Sequence, residues 1–154
     1  MFGFVIKHFG FLKYVPLAPH VFDAMLKVWT AFSRPHVLGY IDTIEAELMR
    51  WQGMRLTIHK YGGIQFNYHG KELGHIHSNG LLDMPLSRKQ KHQLMQQHAT
   101  VQDHHTFKGT GWISLFIKAE GDVQLTMSIF QLAYKTRKAK MSPTNSHYTV
   151  PIFV

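Results

Sequence analysis

The apolar residues of this 154-residue chain follow two different periods, and the change between them separates helical from extended regions. Near the N-terminus a row of apolar residues recurs at helical spacing and predicts a first helix over about 20–32. The row consists of Val21, Met25, Val28, Trp29 and Phe32. A second helix is predicted over about 37–50, where a stripe recurs that we expect to face the core, and Gly53 lies just past its end. The stripe consists of Val37, Tyr40, Ile41, Ile44, Leu48 and Trp51.

From residue 55 to residue 86 the period becomes two, which is typical of antiparallel strands with one buried face. Turn signals separate the strands at 62–63, 69–70 and 78–80. The apolar members of the alternating pattern include Leu56, Ile58, Ile64, Phe66 and Tyr68. This region therefore predicts an antiparallel meander.

Three further elements complete the predicted domain. Ser87 is a suitable N-cap for a helix that ends near Gln97, a strand follows over 112–119, and a last helix extends over about 121–138. Helices before and after a run of strands predict the α+β class. We expect a single domain whose antiparallel sheet has about four to six strands and carries helices on one face, two of them N-terminal and one C-terminal.

The two ends of the chain are predicted to differ from this domain. Residues 1–19 form an aromatic arm that precedes the domain over 20–154. The segment 1–15 lacks the features of a signal peptide, and it can either lie at a membrane surface or dock on the domain's own core. The tail from Met141 onward is predicted to be irregular, with 150–154 either adding an edge strand or simply packing.

Composition and charge narrow the classes of function. The chain has no cysteine, which excludes a disulfide framework, a thiolate zinc site and a cysteine nucleophile, and which fits a reducing cytoplasm. The net charge of +8 favours anionic partners or an anionic membrane surface. Nucleic acid is not an expected partner, because the basic residues form no single block and no glycine-rich phosphate loop is present. No stretch reaches the roughly 18 apolar residues that span a bilayer, so we expect a cytoplasmic protein with at most peripheral membrane contact.

Candidate chemistry begins with His75 and His77, which are two residues apart and therefore share one face of a strand. The hairpin that follows has two open registers. If the turn has two residues, Ile76 lies opposite Asp83. If 78–80 is a three-residue loop in which Gly80 has a left-handed backbone conformation, His75 lies opposite Asp83 instead.

The apolar pattern favours the second register, because only there does Ile76 continue an apolar row of the next strand. That row consists of Leu82, Met84 and Leu86. Both histidines and Asp83 then gather on the other face, where a carboxylate can fix an imidazole tautomer. Glu72 has the wrong parity for this face and joins it only if Gly74 marks a β-bulge. Otherwise Glu72 serves a structural hydrogen bond or salt bridge.

The strand over 112–119 offers an aromatic wall beside this cluster. Its apolar positions, which we expect to face the helices, are Ile113, Leu115 and Ile117. The opposite face carries Trp112, Ser114 and Phe116. An aromatic wall near histidines suits a flat ligand, although it also suits ordinary packing under the N-terminal arm.

The stretch 62–112 resembles the luciferase-domain family. It contains a Glu-x-x-His-x-His signature over 72–77, a short turn, a second strand with Asp83, a basic helix and then His104. A light-emitting fungal member shows the same order, including a Gln-Arg-His run that best matches 102–104. That member is longer, begins with a membrane-spanning segment for which we find no counterpart, and has a histidine at the position of Asp83. The resemblance covers about a third of the chain strongly and the last two thirds loosely.

The resemblance implies an oxidoreductase of the oxygen-using kind that acts on a small, flat, acidic or oxidisable organic molecule without a known prosthetic group. The catalytic residues would be Glu72, His75, His77, Asp83 and His104, and the ligand-binding residues Trp112, His105 and Phe116. His104 or His75 would act as the general base. The residues alone leave a second interpretation open, a non-catalytic small-ligand or metal module. Its candidate ligands for a divalent ion are His75, His77, Asp83 and His104. The oligomeric state is not predicted.

Overall fold

The computed structural model describes residues 18–141. The predicted arm over residues 1–17 and the predicted tail over 142–154 lie outside the described residues. The elements are α1 (Ala18–Ser33), α2 (Pro35–Leu48), β1 (Met54–Ile58), β2 (Ile64–Tyr68), β3 (Lys71–Ile76), β4 (Leu81–Pro85), α3 (Arg88–Gln97), β5 (Gln102–Asp103), β6 (Trp112–Phe116) and α4 (Glu120–Met141). The six strands form one antiparallel sheet in the order β1-β2-β3-β4-β6-β5, which confirms the predicted α+β class.

The core lies between the sheet and the helices α2 and α4. Four residues of the predicted α2 stripe are buried, which confirms the inward face of that helix; they are Val37, Ile41, Ile44 and Leu48. From α4, Phe130 packs its ring edge-on against Phe66 of β2, with the ring centroids 5.1 Å apart. The apolar row of β6 is buried as predicted and consists of Ile113, Leu115 and Ile117.

The hairpin between β3 and β4 has the second of the two predicted registers. His75 lies opposite Asp83, and the His77 amide donates to the Leu81 carbonyl at 2.9 Å. Gly80 closes the loop with a φ of 85°. A Cβ at Gly80 would lie 2.7 Å from a methyl group of Val37, so both conformation and space require glycine there.

A β-bulge between β2 and β3 changes the face on which Glu72 lies. Phe66 pairs with Gly74, whereas the next residue, Asn67, pairs with Glu72, so Leu73 is the extra residue. A bulge shifts the side-chain alternation by one position. This is the condition under which Glu72 was predicted to join the histidines.

Two short elements differ from the prediction. The strand predicted over 112–119 ends at Phe116, because the chain turns there into α4, whose Asp122 carboxylate accepts the amides of Lys118 and Ala119 at 2.9 and 3.0 Å. The strand β5 was not predicted, because two residues are too few to show a period. Ser87 is the predicted N-cap of α3 and forms a capping box with Gln90.

The helix α1 forms where predicted, but its apolar row faces outward. Its fully buried residue is Thr30, on the opposite side of the helix. None of the helices within 18–141 is long and apolar enough to cross a membrane.

Candidate functional site

Three imidazoles surround one carboxyl oxygen on the polar face of the sheet. Asp83 is 0% exposed, and its Oδ1 accepts a short hydrogen bond from the Ser114 hydroxyl. Its Oδ2 is buried and has no hydrogen-bond partner among residues 18–141. The Nε2 atoms of His75, His77 and His104 each lie 3.7 Å from this oxygen. Because N–H···O bonds measure about 2.7–3.2 Å, none of the three rings donates to it in this geometry.

Glu72 determines the orientation of His75. The His75 Nδ1 lies 2.7 Å from Glu72 Oε1, so the Nδ1–H donates a hydrogen bond to the carboxylate. Burial by itself raises the pKa of Glu72, but the hydrogen bond and the charge of His75 outweigh it and hold that pKa below its usual value. In the neutral ring the Nε2 lone pair therefore points at Asp83.

Asp23 of α1 plays the corresponding part beside His77. Its Oδ1 lies 3.7 Å from the His77 Nδ1, and its two oxygens accept the Ser78 amide and hydroxyl at 3.1 and 2.7 Å. Burial raises the pKa of Asp23, but contacts with His77 and Ser78 outweigh it and keep that pKa below its usual value. The ionised carboxylate favours a proton on the near nitrogen, Nδ1, which leaves the Nε2 lone pair toward Asp83.

His104 differs from the other two histidines in its tautomer. Its Nδ1 accepts the backbone amides of Thr106 and Phe107 at 3.0 and 3.1 Å, so its proton lies on Nε2. Burial lowers the pKa of His104, and the charge of Asp83 only partly opposes this effect. The lowered pKa favours the neutral ring. His104 is therefore a fixed hydrogen-bond donor toward the site, whereas His75 presents a lone pair.

A buried contact positions the loop that carries His104. The Lys91 ammonium of α3 donates to the Asp103 carboxylate at 2.5 Å and to the Thr110 carbonyl at 2.9 Å. Asp103 also accepts the Gly109 amide at 3.2 Å. The hydrogen bond from Lys91 is the main reason that the pKa of Asp103 is lowered. These bonds close the loop 103–111 around the imidazole.

Aromatic rings line one side of the cluster. The Trp112 ring centroid lies 6.0 Å from that of His75 and 5.5 Å from that of His104. The rings of Phe107 and His105 both stack on that of His104, with centroid distances of 4.9 and 4.4 Å. The predicted ligand-binding residues Trp112 and His105 thus lie beside the histidines. The third, Phe116, contacts the Lys118 ammonium at 5.6 Å.

Two cavities are lined in part by residues that contact the cluster, Glu72 in one and Ser114 in the other. One of about 240 Å³ includes Glu72 in its wall, together with Ser87, Gln90, Arg137 and Lys140. The other, of about 210 Å³, is lined by Ser114, Phe116 and Lys118 among others. Glu72 therefore both accepts a hydrogen bond from His75 and lines a basic cavity.

His59 belongs to the cluster but was not among the predicted site residues. It is 5% exposed, and its ring stacks on that of His75 with the centroids 3.7 Å apart and the planes 11° from parallel. Burial, followed by the charge of His75, lowers the pKa of His59 to about 4. The strand alternation contained the signal, because His59 follows Thr57 on the polar face.

We expect His59 to make folding pH-dependent. The unfolded chain protonates His59 as the pH falls through 6.5, whereas the folded protein does so only at about 4. Between these values the unfolded state binds more protons, so stability is lost as the pH falls, by about 2–3 kcal/mol from this residue. The free energy of unfolding is measured with denaturant at pH 7 and at pH 4.5. Between these pH values it should fall less in His59→Phe than in the wild type. The exposed His92→Phe is the control, and an unchanged pH dependence in His59→Phe would contradict the assignment.

Three groups of side chains in the described part of the chain have the spacing of metal ligands. The ligand atoms lie within 4.8 Å of one another in His75–His77–Asp83, in Asp83–His104–His105 and in His59–Glu72–His75. The second group is less suitable, because the proton on His104 Nε2 leaves no lone pair there. In the third, the His75 nitrogen near Glu72 is engaged as a donor. The first group therefore fits a metal ion best.

The fold and this cluster define a small α+β protein whose sheet carries a buried histidine–carboxylate site. Residues 70–133 match the family model described as Luciferase domain, which supports the assignment of the chain to the luciferase-domain family and confirms the resemblance of the motif. The match includes the predicted residues Glu72, His75, His77, Asp83 and His104, but neither Asp23 nor His59. The searches of curated proteins and of solved structures found no match.

Proposed function

We propose that this protein is an enzyme that oxidises a small, flat, acidic organic molecule with molecular oxygen, and that His75, His77 and Asp83 bind a divalent metal ion in its site. The observation that carries the proposal is the buried Asp83 Oδ2, which has no partner although two imidazole lone pairs face it. Buried polar atoms without partners are rare, and such an atom among potential ligands is a feature of an ion-binding site.

Electrostatics favours a cation between these three side chains. A carboxylate oxygen and two imidazole lone pairs are all acceptors, so they repel one another unless a positive charge lies between them. Metal–ligand distances of about 2.0–2.2 Å separate the ligand atoms by about 3.3–3.6 Å at tetrahedral angles and by about 2.8–3.1 Å at octahedral angles. The observed separation of 3.7 Å between each Nε2 and Oδ2 is nearer to the tetrahedral value, so an octahedral iron or manganese ion would have to draw the three side chains closer together.

The surroundings match what metal-binding histidines need. Glu72 and Asp23 lie on the far nitrogens of His75 and His77, and such carboxylates orient the ring and raise the basicity of the ligand. Two histidines and one carboxylate leave positions open, as in oxygen-using non-haem iron enzymes.

The reaction we propose adds both atoms of oxygen to the substrate. The acidic substrate gives up a proton to water, the electron-rich carbon of the resulting anion forms a C–O bond with oxygen, and a proton from water returns to the peroxide oxygen. Substrate and oxygen thus combine to a hydroperoxide, the substrate losing two electrons and oxygen gaining them. A cation held by His75, His77 and Asp83 would supply positive charge beside the substrate anion. The His104 Nε2–H would donate a hydrogen bond to that anion, and Trp112 with Phe107 offers aromatic surface for a flat ring. The family resemblance supports this reaction class.

A second candidate needs no metal, and the Glu72–His75 hydrogen bond favours it. Because the Glu72 carboxylate accepts a hydrogen bond from the Nδ1–H, the His75 Nε2 is free to act as a general base. His75 would then remove the substrate proton itself, and the anion would react with oxygen directly.

One experiment separates these candidates. Protein purified without an affinity tag is analysed for metals, then supplied with Fe(II) or Mn(II), and oxygen uptake is recorded with a panel of hydroxypyrones and phenols. We expect stoichiometric metal and an uptake that a chelator abolishes. If metal-free protein consumes oxygen and a chelator does not affect this uptake, the second candidate, in which His75 is the base, is favoured instead. Stoichiometric metal without any uptake would leave a metal-binding module, and neither metal nor uptake would contradict both candidates.

A further inference from the structure

The outward face of α1 carries a continuous row of large apolar side chains. They are between 58% and 86% exposed and lie at positions i, i+4, i+7, i+8 and i+11; they are Val21, Met25, Val28, Trp29 and Phe32. At about 1.5 Å per residue the row is about 16 Å long. Single exposed apolar residues are ordinary, but a contiguous row is characteristic of a contact surface.

The inward face of the same helix is already fixed to the domain. Thr30 is fully buried, and Asp23 is bound to Ser78 by two hydrogen bonds. Gly62 approaches the helix so closely that a Cβ there would lie 2.5 Å from the Asp23 Cβ. The helix therefore cannot turn its apolar row inward without breaking these contacts.

The turn that contacts the inner face of α1 also carries exposed side chains. Gly62 belongs to this turn, in which Tyr61 is exposed and the Lys60 ammonium lies 4.8 Å above the Tyr61 ring, and Ile58 is exposed at the end of β1 just before it. Apolar and aromatic side chains beside lysine are the composition that interfacial membrane segments use.

We propose that the outward row of α1 docks on an anionic lipid surface. The row supplies Trp29 and Phe32, which insert between headgroups, and the net charge of +8 supplies attraction to anionic lipids. A second copy of the chain is a poorer occupant, because stable protein interfaces need about 20–30 residues a side. The row has five on one helix.

Docking would bring the lipid surface to the helix that carries Asp23. Asp23, which lies beside His77, and the apolar row are on opposite faces of α1. The histidine cluster would therefore lie one helix diameter from the membrane. On the proposed function, a flat substrate that partitions into the lipid in its protonated form would then be concentrated beside the site.

The test is flotation of the full chain with vesicles of phosphatidylcholine, either alone or with one third phosphatidylserine. We expect binding to the serine-containing vesicles that weakens with salt. Trp29→Ser/Phe32→Ser should lower the partition coefficient at least roughly ten-fold. Met95→Ser/Met141→Ser is the matched control, because it removes two exposed apolar residues from other helices. Circular dichroism of each variant shows whether the fold is retained.

A third variant separates the row from the aromatic segment before it. Phe9→Ser/Phe11→Ser in the full chain should leave most of the binding intact. The proposal is overturned if the row variant binds like the wild type or if only the Phe9/Phe11 variant loses binding. It is also overturned if light scattering without lipid shows a dimer that the row variant dissociates, because the second copy would then occupy the surface.

Discussion

Asp83→Asn is expected to abolish stoichiometric metal binding and the oxygen uptake that depends on it, while the protein remains folded. Replacing a residue that only supports a metal ligand lowers metal affinity or activity about 10–100-fold. Replacing a charged ligand itself should therefore lower them by more than about 100-fold. The asparagine keeps the shape of Asp83, and its side-chain oxygen can still accept the Ser114 hydroxyl.

The stability of this variant provides a second readout. Without metal, Asp83→Asn should be at least as stable as the wild type, because it replaces a buried carboxyl oxygen that has no partner. With metal at 100 times the dissociation constant, only the wild type should gain about 2.7 kcal/mol. Both can be measured by denaturant unfolding with and without Mn(II).

The matched control is Asp42→Asn, which removes an exposed carboxylate from α2. It should bind metal and consume oxygen like the wild type. If Asp83→Asn retains both stoichiometric metal and metal-dependent stabilisation, the site is not at Asp83. If it loses oxygen uptake although the wild type holds no metal, the carboxyl group serves proton transfer instead.

Gly80→Ala is expected to lower the free energy of unfolding by about 2–4 kcal/mol, because it combines two separate costs. The backbone at Gly80 has a φ of 85°, a region that strains any side chain. In addition, the new methyl group would lie 2.7 Å from Val37 and 2.9 Å from the Ile117 carbonyl. Denaturant unfolding at pH 7 measures the loss.

Gly70→Ala separates the two costs. Gly70 also has a positive φ, of 76°, but a Cβ there meets no atom within 4 Å. Its replacement should cost only about 1 kcal/mol, from the backbone alone. An equal loss in both variants would show that the contact with Val37 has no effect. Because Gly80 closes the loop that places His75 opposite Asp83, metal affinity should fall in Gly80→Ala and remain unchanged in Gly70→Ala.

Local patterns predicted the centre of the site because it lies within one hairpin. His75 and His77 share a face by the strand period, and the apolar row selected the register that pairs His75 with Asp83. The position of Glu72 depended on a bulge, whose presence is decided by pairing with β2. A glycine in the strand was compatible with a bulge but does not require one.

Residues outside the hairpin could not be predicted in the same way. Asp23 lies 55 residues before its partner Ser78, and the helix pattern around it does not show where that helix docks. His59 was visible as a polar position directly after β1, but its stacking on His75 depends on how β1 and β3 are placed in the same sheet. The tautomer of His104 depends on the path of its loop, which Lys91 holds.

The sequence by itself determined the α+β class, the core face of α2, the hairpin register and the gathering of His75, His77 and Asp83, because each follows from the period of a single element or from one short turn. Only the tertiary structure decided that Asp23 and His59 complete the cluster, that His104 is a donor and that the row on α1 faces outward. The physical reason is that periodicity reports which residues share a face, whereas what a face contacts depends on how separate elements pack.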